Sequence, residues 1–115
     1  MQAYVYAFND GVAFVSYETP ILVNVYGEWY QTKEWYSSTT TRQRNRFKRE
    51  QKIEEVKEAS ERKIMSLFNL LEALNKSRKK LELAEQARDE ERGIKEALNI
   101  IELSALLQEV AKNNE

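Results

Sequence analysis

The spacing of apolar residues changes once along this 115-residue chain, near residue 40, and that change limits the fold more than any other feature. Before it, apolar side chains fall in short Tyr- and Val-rich runs of strand length: QAYVYAF over 2–8, VAFVSY over 12–17, ILVNVY over 21–26 and EWYQT over 28–32. After it they recur every three or four residues, the period of a helix face: Ile53, Val56, Ser60, Ile64, Leu67, Leu71 and Leu74. Strands first and helices after is the α+β order. The chain is long enough for one core and too short for two, so residues 1–40 and 41–115 are read as the sheet part and the helical half of one folding domain.

Within the sheet part, Asn9-Asp10-Gly11 is a hairpin signal. Glu18-Thr19-Pro20 interrupts the second and third runs, because proline has no N–H for a ladder. Gly27-Glu28 suits a two-residue turn with glycine first. The prediction is an antiparallel sheet of about four short strands. Apolar residues occupy both faces of these strands, so one face is expected to meet helices of this chain and the other a second chain or a partner.

In the helical half, one helix of about 30 residues is predicted from residue 41, with Asn75-Lys76-Ser77 as the best candidate break, although no proline forces one and a continuous helix is the alternative. A second helix follows over 78–92, carrying Leu81 and Ala84. Gly93 interrupts it, and a strongly apolar third helix runs over 94–111. The apolar positions of the third helix exceed one face, which predicts burial on two sides and allows a homodimer. The long helices would form a helical hairpin or bundle.

Formal net charge is −1, but the charge is unevenly placed. Residues 1–40 carry four acids against one lysine, residues 41–52 six bases against Glu50, and the remainder fourteen acids against eleven bases. The basic tract follows the hydroxyl cluster Ser37–Thr41 at the expected helix start, where the macrodipole favours acids. Arg42–Arg46, Arg44–Lys48 and Lys48–Lys52 are like-charge pairs at i,i+4, each unfavourable by a few tenths of a kcal/mol, roughly. A stretch that opposes its own local electrostatics is a candidate contact for an anion, nucleic acid or partner, through Thr39, Thr40, Arg42, Arg44, Arg46, Lys48 and Arg49. Pairing with the acidic sheet part and a solvated basic face are the structural alternatives. Tyr4, Tyr6, Trp29, Tyr30, Trp35 and Tyr36 are candidate partner-facing aromatics, with sheet packing as their alternative.

The chain has no cysteine and no histidine, which excludes disulfides, thiolate zinc sites and every Ser-His or Cys-His dyad. It carries no glycine-rich phosphate loop and no dinucleotide fingerprint, so neither a cofactor nor an enzymatic activity is expected. Glu85 and Asp89 could begin an Mg²⁺ site, but Arg88 and Arg92 are interleaved with them. No segment approaches the ~18 apolar residues of a membrane span, so no membrane contact is expected.

The positions Ser16, Tyr17, Thr19 and Ile21, followed by Tyr36, Ser37, Thr39, Thr40, Arg42 and Phe47, resemble a short module of small phage proteins, many without an assigned function. In it a Ser-Tyr-x-Thr strand precedes Tyr-Ser-x-Thr-Thr-x-Arg and a helix. The resemblance covers about residues 14–48. Where the module often has histidine after the arginine, this chain has Gln43. Small phage proteins of this size also resemble anti-defence proteins, including anti-CRISPR proteins, which act by stoichiometric binding. The resemblance implies a non-enzymatic inhibitor in the host bacterial cytoplasm, binding a defence nuclease or its ribonucleoprotein. The alternative is a regulatory module that contacts DNA or RNA phosphates through residues 39–52.

Overall fold

A computed structural model describes residues 2–113. Its order is β1 (Ala3–Phe8), β2 (Gly11–Ser16), β3 (Thr19–Val25), β4 (Glu28–Thr32), α1 (Ser38–Glu50), β5 (Lys57–Ala59), α2 (Glu61–Gln86) and α3 (Glu90–Lys112). The sheet runs β1-β2-β3-β4-β5. The first four strands form the expected antiparallel meander, and β5 adds to β4 in parallel, with α1 as the crossover.

The turns differ in detail from the sequence expectation. Of the three two-residue loops, Asn9–Asp10, Tyr17–Glu18 and Tyr26–Gly27, the last two are left-handed (φ 48° and 66°, then 50° and 91°). Positive φ at both positions gives the strand twist that tight hairpins need. Glycine is therefore second in its turn, and Asn24 Oδ1 accepts the Gly27 N–H at 3.1 Å. Pro20 lies inside β3, opposite Val15, where the register shifts beside Phe14. A bulge is where a strand can carry a residue without an N–H.

The single helix expected from residue 41 is instead two helices separated by β5. α1 stops because Lys52 takes a left-handed conformation (φ 54°), its N–H reaches Arg49 O at 3.2 Å and Ile53 N–H reaches Lys48 O at 2.9 Å. These two bonds are the Schellman pattern. Ser60 then caps α2, its Oγ accepting from the Lys63 N–H at 3.1 Å. Ile53 and Val56 keep a helix-like spacing by coincidence, since both lie in the connection and pack against Phe47 and its neighbours.

Nor does Asn75-Lys76-Ser77 break α2. Ser77 is buried within it and its Oγ accepts from Asn99 Nδ2 on α3 at 2.7 Å. The break comes ten residues later, where Arg88 (φ 55°) repeats the Schellman pattern through Arg88 N–H to Glu85 O and Asp89 N–H to Ala84 O. Gly93 sits inside α3, four residues past the Asp89 cap. α2 and α3 form the expected helical hairpin.

The hairpin covers one sheet face. Ala13, Val15, Val23, Val25, Tyr30 and Ala59 meet Ile64, Leu67, Leu71 and Leu74 of α2, with Ile100 and Leu107 of α3 behind them. The 3-4-3 spacing of the α2 leucines and isoleucine keeps them on one line over the sheet. The other face, expected to meet a second chain or a partner, is covered in part by α1 through Phe14, Ile21, Leu22 and Phe47. Arg78 clamps the β1–β2 turn to α2 with two hydrogen bonds to Asp10, at 2.9 and 3.0 Å. Lys63, also buried, donates to the carbonyls of Ala111 and Asn113 and so caps the end of α3. Ile94, Leu98 and Ile101 form a line on α3 that stays exposed.

Burial, and then the hydrogen bond to Glu28 Oε2, push the Tyr30 phenol up to about 12 from the usual 10. A raised phenol pKa in the fold means the native state holds the proton more tightly. Its contribution is complete below the unfolded value near 10 and is lost as pH rises towards 12. Tyr30→Phe is expected to flatten the alkaline fall of stability across that window, measured by denaturant midpoints at stepped pH.

Candidate anion-binding helix and adjoining groove

α1 begins with a hydroxyl chain. Ser37 is the N-cap, and its Oγ accepts the Thr40 N–H at 3.1 Å. Ser16 donates to Gln43 Oε1 at 2.7 Å, so the Ser16–Thr40 contact at 3.0 Å must run from Thr40 to Ser16. Ser37 in turn donates to Thr40 at 3.1 Å. One directional chain results, Ser37 to Thr40 to Ser16 to Gln43, in which every hydroxyl uses its single proton. Such chains strengthen cooperatively. This chain pins the start of α1 to β2.

Thr40 and Ser16 are buried, so the Thr40 hydroxyl belongs to this chain and is not open to an external anion. Thr40→Val is expected to cost about 1–3 kcal/mol, because it strands the Ser37 donor and leaves Ser16 without its donor. Thr40→Ser should recover most of that loss in denaturant unfolding.

One turn on, Phe47 seats α1 on the sheet. Its ring stacks on Phe14 at 4.8 Å and meets Trp29 edge-on at 5.8 Å. With Thr40, Gln43 and Phe47 directed at the sheet, the 3.6-residue period turns the basic residues outwards. Arg42, Arg46 and Arg49 are exposed, and Arg44 and Lys48 are half-buried at the flank. Thr39 is half-buried, and Arg42 reaches its Oγ1 at a long 3.5 Å. Arg44 donates to the neighbouring Asn45 Oδ1. Lys48 Nζ donates to Gln31 Oε1 at 3.0 Å, and burial, then the Arg44 charge, lower its pKa.

The sheet's acids do not balance this charge. Asp10 is held by Arg78, and Glu28 pairs with Lys57 at 3.1 Å, a contact that lowers the Glu28 pKa. Among the described residues, the tract's one ion pair to a carboxylate is Arg46–Glu50 at 3.4 Å, and both side chains are mostly exposed. Solvated pairs of that kind contribute little. The first turn of α1 holds no acid. Pairing with the sheet, the alternative raised by the sequence, is therefore not how the tract is used within this fold.

Beside α1 lies a groove of about 380 Å³ that opens over β1. Ala3, Val5, Phe14 and Phe47 form its apolar floor, and Arg42, Arg46 and Glu50, the last paired with Arg46, stand on the α1 side, leaving Arg42 as the wall's cation without a carboxylate.

The six aromatics do not form one surface. Tyr30 is in the core, and Trp29 is packed on Phe47. Tyr36 is half-buried and donates to Glu61 Oε2 at 2.8 Å. Tyr4, Tyr6 and Trp35 are exposed. Tyr6 lies on the hairpin side, edge-on to Phe68 at 5.8 Å. Ser16, Gln43, Val5 and Phe14 were not singled out as site residues by the sequence. Ser16, a polar residue closing an apolar strand, carried the only signal that α1 would dock there.

Among the described residues no three carboxylates gather as a metal site. Asp89 is instead the α3 cap, accepting from the Arg92 N–H at 3.1 Å. No helix among the described residues is long and apolar enough to cross a membrane.

These features define an α+β protein whose sheet lies between a cationic helix and a helical hairpin. Residues 2–66, which take in the sheet, α1 and the first turns of α2, match a family of unknown function, DUF8033, and the chain belongs to that family. No curated protein and no solved structure matches it.

Proposed function

We propose that this protein is a non-enzymatic binding module whose α1 grips phosphates of a nucleic-acid-bearing partner. The observation that carries the reading is the charge of α1: it is densely basic, pinned by the Ser37–Gln43 hydroxyl chain, and almost unpaired by carboxylates of its own fold. Fixed cations on a rigid helix attract phosphates without the entropy cost of ordering a loop. The resemblance to small phage proteins supports a particular partner, a defence nuclease of the bacterial host with its guide or target nucleic acid. Binding there would inhibit by occupancy, in the host cytoplasm.

Pull-down from a bacterial lysate, with and without nuclease treatment, tests this. The expected result is a defence nuclease captured together with nucleic acid, and loss of capture after digestion. Recovery of neither, with phage plaquing unchanged by expression of the protein, would contradict it.

A further inference from the structure

The two edges of the sheet are built differently. β5 is three residues long and reads Lys-Glu-Ala, short and charged in the way that blocks edge-to-edge pairing. β1 is six residues long and reads Ala-Tyr-Val-Tyr-Ala-Phe. It has no charge, no proline and no bulge in its pairing with β2, so it carries none of the protective devices. Its outward backbone groups can be assigned. Tyr17 N–H donates to Gln2 O at 2.8 Å, which makes Gln2–Tyr17 a hydrogen-bonded pair. By antiparallel alternation, Tyr4, Tyr6 and Phe8 bond to β2, while Ala3, Val5 and Ala7 direct their N–H and C=O groups away from the sheet. The side chains of Ala3 and Val5 also line the groove beside α1.

We propose that β1 accepts an extended acidic peptide segment of another protein as an added strand. Its backbone would pair with Ala3, Val5 and Ala7, an apolar side chain would sit over Val5 and Phe14, and a carboxylate would meet Arg42 and Arg46. Strand addition supplies affinity through the backbone and selectivity through alternate side chains. Charge complementarity selects this occupant over a second copy. Residues 2–8 contain no acid to meet the arginines. Two-fold pairing of β1 with itself would also place two cationic α1 helices on the same side of one continuous sheet.

Random display peptides of about eight residues, enough to span β1, panned on the immobilised full chain, provide the test. The expected winners carry an apolar residue and an Asp or Glu two positions apart, so that both project to the α1 face. Val5→Pro removes one outward N–H and no bond to β2, a substitution that edge strands tolerate. It is expected to weaken the best peptide by about tenfold or more. Val5→Glu places a competing carboxylate beside Arg42 and should weaken it similarly, and it stands in if the proline variant does not fold. Val5→Pro changes no charge and is expected to leave nucleic-acid binding as it is, whereas Val5→Glu would lower it only through Arg42 and not through Arg44 or Arg49, so failure here is distinct from failure of the phosphate reading. No enrichment over a blank surface, or equal binding to the folded variants, would overturn the proposal. So would concentration-dependent dimerisation abolished by Val5→Pro without peptide capture, which would assign the edge to a second copy.

Discussion

Gly11→Ala is expected to destabilise the protein by about 3 kcal/mol, although alanine is ordinarily the better strand residue by roughly 0.5–1 kcal/mol. The reason is contact with backbone. A Cβ at Gly11 would lie 2.0 Å from the Asn24 carbonyl oxygen and 3.1 Å from Leu71 Cδ2. Leu71 can adjust, but Asn24 O belongs to β3, and Gly11 is in register with Val25 beside it. Relief requires β2 and β3 to separate at the end of the meander, above a fully buried leucine. The melting midpoint should fall by roughly 10 °C or more for a domain of this size. The other glycines give internal controls. At Gly27 a Cβ meets nothing within 4 Å, but φ is +91°, so alanine there should cost only about 1 kcal/mol. At Gly93 the nearest atom is Leu81 Cδ1 at 3.9 Å, and in a helix interior Gly93→Ala should stabilise by up to about 1 kcal/mol.

Reversing Arg44 and Arg49 to glutamate is expected to lower affinity for DNA or RNA by about 30-fold or more at moderate salt. The same change should leave stability nearly unaltered. Arg44 faces Lys48 at i,i+4, and glutamate there replaces repulsion by attraction worth a few tenths of a kcal/mol, roughly, which offsets the loss of a cation at Arg49 in the last turn. A large loss of affinity at nearly constant stability separates a contact residue from a structural one. If the arginines merely solvated α1, affinity would not move. If they held the fold together, stability would fall. Fluorescence anisotropy with a labelled oligonucleotide and denaturant unfolding of the same samples read both quantities.

The sheet was legible because its strands are short, Tyr- and Val-rich and separated by turn residues, and the α2–α3 hairpin because its apolar stripes are long. The helix ends at Lys52 and Arg88 were not. Both adopt the left-handed conformation that usually selects glycine or asparagine, and neither is followed by proline, so composition marks no stop. β5 was invisible for a related reason: Lys-Glu-Ala is a helix-favouring triplet, placed in the sheet by the free edge of β4. The charge of α1 was plain in the sequence. Its lack of intramolecular partners was not, since that depends on Arg78 and Lys57 reaching Asp10 and Glu28 across the fold. The groove joins β1 to α1 across some forty residues of chain, a juxtaposition that only the crossover to β5 creates.

If α1 grips phosphates, binding must weaken with salt, because every neutralised phosphate releases counterions. Affinity for a labelled single-stranded oligonucleotide, measured from low to moderate salt, should fall linearly on a double-logarithmic plot. Each neutralised phosphate contributes a slope of about −0.7 on a single strand, so three to five contacts would give a total of about −2 to −4. Arg44→Glu with Arg49→Glu should make the slope shallower by about 1.4. Binding that is flat with salt, or no binding at low salt to any DNA or RNA, would contradict the account.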